Sequence, residues 1–269
     1  MVAAIELCRS QFDVERNRFR ILDWGCGRGK LVLWLREHGY EAFGADIDSS
    51  PFAKGAELFR RRGYSSGDYL RSLDQHGRSP FQSASFHFVT SEQTLEHVSD
   101  LARATSELRR LTMAGGQGFH IYPAHRRLVE PHLFMPCVHW LPKNRSRKYL
   151  IEMFVRLKIE PDWFQDRHVG VKERTRVYFD YSVEKTFYRD PRTVSDQFAA
   201  AGFDTRFVDV EGYRLRRRVV SKALFLDDSS RLVHWWWRNF GSNIGLATAL
   251  REEDHAGMPD VRRRPTEAA

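Results

Sequence analysis

Three acidic residues stand where short apolar runs meet small residues, an arrangement that suits a nucleotide-type pocket. Asp23 opens Asp23-Trp24-Gly25-Cys26-Gly27-Arg28-Gly29, Asp46 closes Glu41-Ala42-Phe43-Gly44-Ala45-Asp46, and Asp68 sits in Gly67-Asp68-Tyr69. Alternating glycines let backbone approach a ligand closely, and the helix start behind them offers free N–H groups to an anionic end. Asp23 can orient that turn and favour an ammonium. Asp46 presents paired acceptors to a vicinal diol, Asp68 suits an exocyclic amine, and Ile47 and Tyr69 can flank a flat ring. A second group lies further on, in Ala124-His125-Arg126-Arg127-Leu128-Val129-Glu130-Pro131-His132 and Val138-His139-Trp140. There His132, beside Glu130, is the candidate general base for an acceptor that must lose a proton. The histidines show no convincing zinc-ligand spacing, so no metal is expected.

Three ligands compete for the glycine turn. A phosphate loop needs glycine, four residues, then Gly-Lys-Ser/Thr. Here Gly29-Lys30 is followed by Leu31, and the first required glycine falls on Trp24. A dinucleotide fingerprint needs glycine at position 30, which is Lys30. The acid before the turn and the acid ending the next run fit a third pattern, acid-x-Gly-x-Gly-x-Gly.

The elements that must position these residues alternate. The pattern predicts a lead-in helix with Ile5, Cys8 and Phe12 on one face, then a strand Arg20–Trp24 and a helix from about Gly29 to His38, closed by Gly39. A second strand spans Glu41–Asp46, and a helix capped by Ser50 with Pro51 in its first turn ends at Gly63. A third strand is expected over Tyr64–Asp68 and a fourth over Phe86–Thr90. A helix capped by Ser99 then carries Leu101, Ala104, Leu108 and Leu111, and Gly115-Gly116 turn into a fifth strand, Gly118–Tyr122. Strands alternating with helices at this spacing predict an α/β fold with a mostly parallel, doubly wound, Rossmann-like sheet. From Pro123 to about Tyr188 the alternation stops, which reads as an insertion after strand five and a candidate lid. Asp190-Pro191 starts a last helix, followed by expected strands at Asp204–Val210 and Arg217–Leu226.

The ordered motifs resemble class I S-adenosylmethionine-dependent methyltransferases of the small-molecule type, similar to those of quinone biosynthesis. Asp23 to Gly29 resembles the family's first motif, Gly44-Ala45-Asp46 its second, and Gly67-Asp68 the position that meets the adenine amino group. Thr94-Leu95-Glu96-His97-Val98 resembles the segment after its fourth strand, and Leu108 to Phe119 its turn into strand five. The resemblance covers roughly residues 18–122 and weakly 191–209. It implies S-adenosyl-L-methionine as cofactor, bound by Asp23, Gly25, Cys26, Gly27, Gly29, Asp46, Ile47, Asp68, Tyr69, Glu92 and His97. One position departs from the family: His87 stands where an acid is frequent, and its alternation with Phe86 and Phe88 gives it a packing role.

The 269 residues, 42% hydrophobic, suffice for one elaborated domain with a sizeable core. Within it, residues 1–123 form the cofactor half, 124–189 the insertion, 190–250 the completion of the sheet and 251–269 a tail. No apolar run reaches membrane-spanning length, no signal peptide is visible, and three scattered cysteines fit a reducing cytoplasm. The net charge of +8 reads mainly as solvated surface, with no RNA-binding motif. Val233-His234-Trp235-Trp236-Trp237-Arg238 reads as packing, with peripheral membrane contact as its alternative. The expected function is methyl transfer to a small-molecule or lipid- or glycan-linked acceptor, at oxygen. The rivals are an RNA methyltransferase and a non-catalytic cofactor-binding protein on the same fold.

Overall fold

The computed structural model describes residues 1–164, 167–208, 239–241 and 243–251. Helix α1 (Val2–Phe12) buries Ile5 and Cys8 and leads into β1 (Arg20–Trp24). The alternation continues through α2 (Lys30–Glu37), β2 (Glu41–Asp46) and α3 (Ser50–Arg61). It then departs from expectation. Residues 66–69 wind into one helical turn, α4 (Ser66–Tyr69), and the third strand, β3, is Leu70–Ser72. Leu70 is the residue that can be buried there, against the α2 and α3 side of the sheet, whereas 64–68 lacks a large aliphatic anchor.

Strand β4 (Phe86–Glu92) runs two residues longer than expected, and α5 (Leu101–Leu111) is capped by Asp100, not Ser99. The Asp100 carboxylate accepts the Arg103 N–H at 3.0 Å. Strand β5 spans Thr112–Pro123, with a break in register between Thr112 and Gln117 where Gly115 takes a φ of 70°. After β5 come α6 (Arg145–Arg156) and α7 (Val171–Glu184), two helices in the stretch that sequence patterning leaves irregular. They share a separate apolar cluster of Leu133, Met135, Val138, Ile151, Phe154, Val155 and Tyr178. Asp190 caps α8 (Pro191–Ala200), which precedes β6 (Phe203–Val208) and β7 (Asn243–Leu250). The strand expected at Arg217–Leu226, the tryptophan cluster at 233–238 and the tail beyond Arg251 lie outside the described residues.

The seven strands order as β3-β2-β1-β4-β5-β7-β6. The first five are parallel, and β7 pairs antiparallel with both β5 and β6. Ile21 and Leu22 point into different cores, one with α1, α2 and α3 and one with α5 and α8, so both faces are covered. Strand order reverses between β1 and β4, and in such sheets the carboxyl ends of the strands at that reversal form the ligand crevice.

Candidate active site

Strand β1 delivers Asp23 to that crevice, where it is buried. The chain then turns through Gly25, Gly27 and Gly29, all left-handed at φ 83°, 52° and 71°. Gly25 donates its N–H to Ala45 O at 2.7 Å, pinning the turn to β2. A Cβ on Gly25 would stand 2.2 Å from Thr94 Cγ2, whereas one on Gly27 would meet nothing within 4 Å. The turn is therefore packed on one side and open on the other. Cys26 turns its side chain into the core, close to Gly44, so only its backbone can serve a ligand.

Asp46 binds the turn directly. One carboxylate oxygen accepts the Gly27 N–H at 2.8 Å and the other the Asp48 N–H at 3.0 Å. Each oxygen keeps a further lone pair, so a diol can still be held. Ile47, beside it, is 62% exposed. Glu92 ends β4 and is exposed at the same end of the sheet. Burial raises the Asp23 carboxyl to about 7, and the negative charges of Glu92 and Asp46 add to the shift. Three acids that act on one another in this way suit a cationic ligand, and one carrying a sulfonium and an ammonium fits them.

Asp68 and Tyr69 are not brought there. Ser72 pairs with Asp46 and Leu70 with Gly44, so residues before Leu70 lie toward the amino ends of the strands, away from the crevice. Asp68 is exposed on α4, and the Tyr69 ring packs against Phe59 and under the Arg36 guanidinium, 4.1 Å from its centroid. At the level of Asp46 the chain is instead Ser72-Leu73-Asp74, and Leu73 donates its N–H to Asp46 O at 2.8 Å. The Asp74 carboxylate accepts the His76 and Arg78 N–H groups.

A second cluster is built from two distant stretches. A 3-10 turn after β4 carries Leu95, Glu96 and His97. Facing it, Glu130 is buried with both oxygens engaged. Oε1 lies 3.0 Å from His132 Nδ1 and accepts the Tyr188 hydroxyl; Oε2 accepts the His132 N–H at 2.7 Å and the Leu133 N–H. Burial would raise this carboxyl, but the bonds from His132, Tyr188 and Leu133 outweigh it and hold it low. With Nδ1–H given to a carboxylate, Nε2 is the His132 ring nitrogen left for another partner. The His97 ring lies 4.7 Å from that of His132, and its Nδ1 is 2.6 Å from Lys185 O. Tyr188 is not marked as a site residue by the sequence, whereas Glu96 is marked with His97, within the Thr94–Val98 motif, on the cofactor side.

His87 and His139 are packed into the structure. His87 Nδ1 accepts the Arg20 N–H at 3.0 Å, its ring stacks on Phe19, and burial beside Arg20 lowers its pKa to about 4. His139 is buried against Tyr188, and burial lowers it to about 4 as well.

Residues 22–119 match the family model described as a methyltransferase domain. The chain is 30% identical over 108 residues to a malonyl-[acyl-carrier protein] O-methyltransferase of Erwinia billingiae, covering 40% of this chain and 40% of that protein. It is also 30% identical over 100 residues to a ubiquinone biosynthesis O-methyltransferase of Methylococcus capsulatus, covering 37% of this chain and 41% of the relative. The matched stretch thus spans about two fifths of these relatives. Among solved structures, an S-adenosylmethionine-dependent methyltransferase from Mesorhizobium loti superposes with a TM-score of 0.51 at 15% identity, over 91% of this chain and 96% of that one. The cyclase SpnF does so with a TM-score of 0.51 at 15% identity, over 92% and 80%. At such identities the likeness establishes the fold alone.

Proposed function

We propose that this chain, which carries a class I methyltransferase domain, binds S-adenosyl-L-methionine and transfers its methyl group to oxygen on a small-molecule or lipid- or glycan-linked acceptor. One observation carries the reading. Asp23, Asp46 and Glu92 converge on an open glycine turn, and their charges act on one another. The bound cofactor would supply a methyl group on a positively charged sulfur. The Gly27 side of the turn would receive its amino acid end, Asp23 would face the ammonium, and Asp46 would hold the ribose hydroxyls.

Residues 124–189 would form the acceptor side. In-line transfer depends on holding the acceptor oxygen against the methyl carbon. His132 Nε2 would take the hydroxyl proton, with Glu130 fixing the ring through Nδ1–H and Tyr188 securing Glu130. Both named relatives are O-methyltransferases, which supports oxygen as the atom methylated. The test is calorimetry with S-adenosylmethionine, then adenosylhomocysteine release across phenolic and carboxylic acceptors. Saturable binding by the wild type is expected, and its absence at millimolar ligand overturns the reading. A second reading, a cofactor-binding protein without methyl transfer, has the cyclase SpnF on the same fold in its favour. Cofactor binding with no release across that panel would select it.

A further inference from the structure

Glu96 has no counterpart in the scheme above. It is 3% exposed, and neither of its carboxylate oxygens has a hydrogen-bond partner. A buried carboxyl is ordinarily paired, hydrogen-bonded or bound to a metal. Directly beside it stand two imidazoles, and Glu96, His97 and His132 can each offer one ligand atom such that all three lie within 4.8 Å of one another.

The hydrogen bonds around the two rings settle which nitrogens are available. His97 Nδ1 faces the Lys185 carbonyl at 2.6 Å, which can only accept, so Nδ1 carries the proton. His132 Nδ1 faces the Glu130 carboxylate at 3.0 Å and the Tyr188 hydroxyl at 3.1 Å; because that hydroxyl donates to Glu130 Oε1, the ring gives its Nδ1–H to the carboxylate. Each ring is thereby left with an Nε2 lone pair, and each has its orientation fixed by an oxygen acceptor. This is the outer-shell arrangement of metal-ligating histidines, with a carboxylate or carbonyl on the far nitrogen. Glu130 is itself held by Tyr188 and two backbone N–H groups, so it has no freedom to swing in as a competing ligand.

We propose that Glu96, His97 and His132 bind a divalent cation of the zinc type, two imidazole nitrogens and one carboxylate oxygen, with the remaining coordination position facing the acceptor. Metal bonds of about 2.0–2.2 Å place such ligand atoms roughly 3.5 Å apart, so the three side chains need to close by an ångström or so. The set of two imidazoles and a carboxylate favours zinc, cobalt or iron over magnesium, which prefers an all-oxygen shell. The open position would take an oxygen of the acceptor. In the loaded protein His132 would be a ligand, and an acceptor hydroxyl on the cation would release its proton to solvent water before its oxygen takes the methyl group; His132 would act as a base only in the metal-free protein. The placement of the acceptor rests on the methyltransferase reading; the cation site does not.

The experiment uses the whole chain, stripped with a chelator and titrated with Zn2+ by calorimetry and with Co2+ by its visible ligand-field absorption. One cation per chain is expected, with the absorption of an imidazole- and carboxylate-bound Co2+. Glu96→Gln should weaken binding by at least about tenfold, and Glu130→Gln, which reaches the cation through the His132 ring, by about 10–100-fold. Glu96→Gln, whose carboxylate has no hydrogen-bond partner to lose, should keep the wild-type melting temperature in chelator to within a few degrees, which separates lost ligation from lost folding. Absence of saturable Zn2+ binding in the wild type, or wild-type affinity in Glu96→Gln, overturns the proposal. S-adenosylmethionine binding is measured in parallel. Zinc binding without it would leave the cation site standing and remove the methyltransferase reading, and the reverse result would do the opposite.

Discussion

Every charge that shifts Asp23 is negative, which gives its proton a defined energetic role. Its folded pKa of about 7 exceeds the ordinary value of 3.8, so the native chain holds a proton that the unfolded chain releases. The resulting stabilisation is complete below about pH 4 and is lost as pH climbs through about 7. The ligand-free protein should therefore melt progressively lower as pH rises from about 4 to about 7, and Asp23→Asn should flatten that slope. A cationic ligand reverses the sign at this residue because it favours the carboxylate. Its affinity should rise with pH up to about 7 and then level off, which calorimetry at several pH values would register. The glycines divide between structure and ligand. Gly25→Ala combines a left-handed backbone with a Cβ placed 2.2 Å from Thr94, and should cost about 3 kcal/mol or more in unfolding experiments. Gly27→Ala meets only the backbone penalty, about 1–2 kcal/mol. Its methyl would enter the open side of the turn and should lower cofactor affinity at least tenfold. Asp46→Ala should also weaken cofactor binding, and it releases the Gly27 N–H as well.

At the scale of elements, the chain after α7 is tied across the turn that carries Glu96. Phe187 donates its N–H to Glu96 O at 2.6 Å, and the Arg189 guanidinium reaches the carbonyls of Leu95, Val98 and Ser99. Lys143 Nζ adds bonds to Val183 O and Thr186 O at 2.6 and 2.7 Å, fastening the start of α6 to the end of α7. Arg189→Met keeps the apolar stem and removes the donors. It should destabilise by about 1–3 kcal/mol and speed proteolysis within residues 95–99. The helical pair has its own apolar cluster, so its internal packing should survive this change. The same ties explain how residues as far apart in sequence as His97 and His132 come to face one another.

For the molecule as a whole, what could be read from sequence follows how local its causes are. Strands Arg20–Trp24 and Glu41–Asp46 are short apolar runs bounded by charge and glycine, and each forms over the range expected. The glycine turn and Asp46 are legible because they lie beside those strands. Strand β3 is only Leu70–Ser72, too short for alternation to register, which is why Asp68 and Tyr69 read as its end when they precede it. Helices α6 and α7 are rich in charge, and their buried faces show only against each other. Glu96 with His132 is a product of long-range packing and leaves no trace in spacing. β7 is the extreme case, an apolar stretch whose strand partners among the described residues are β5 and β6. Its position between them bears on the order in which the chain can fold during synthesis. It fills an interior place in the sheet, yet it is the last described strand to leave the ribosome. Until residues 243–250 emerge, the facing edges of β5 and β6 lack the strand that joins them, and the core against α8 lacks Ile244, Leu246 and Leu250. Nascent chains arrested before residue 243 should stay protease-sensitive and chaperone-bound, and those long enough to expose residue 250 should become resistant in a single step.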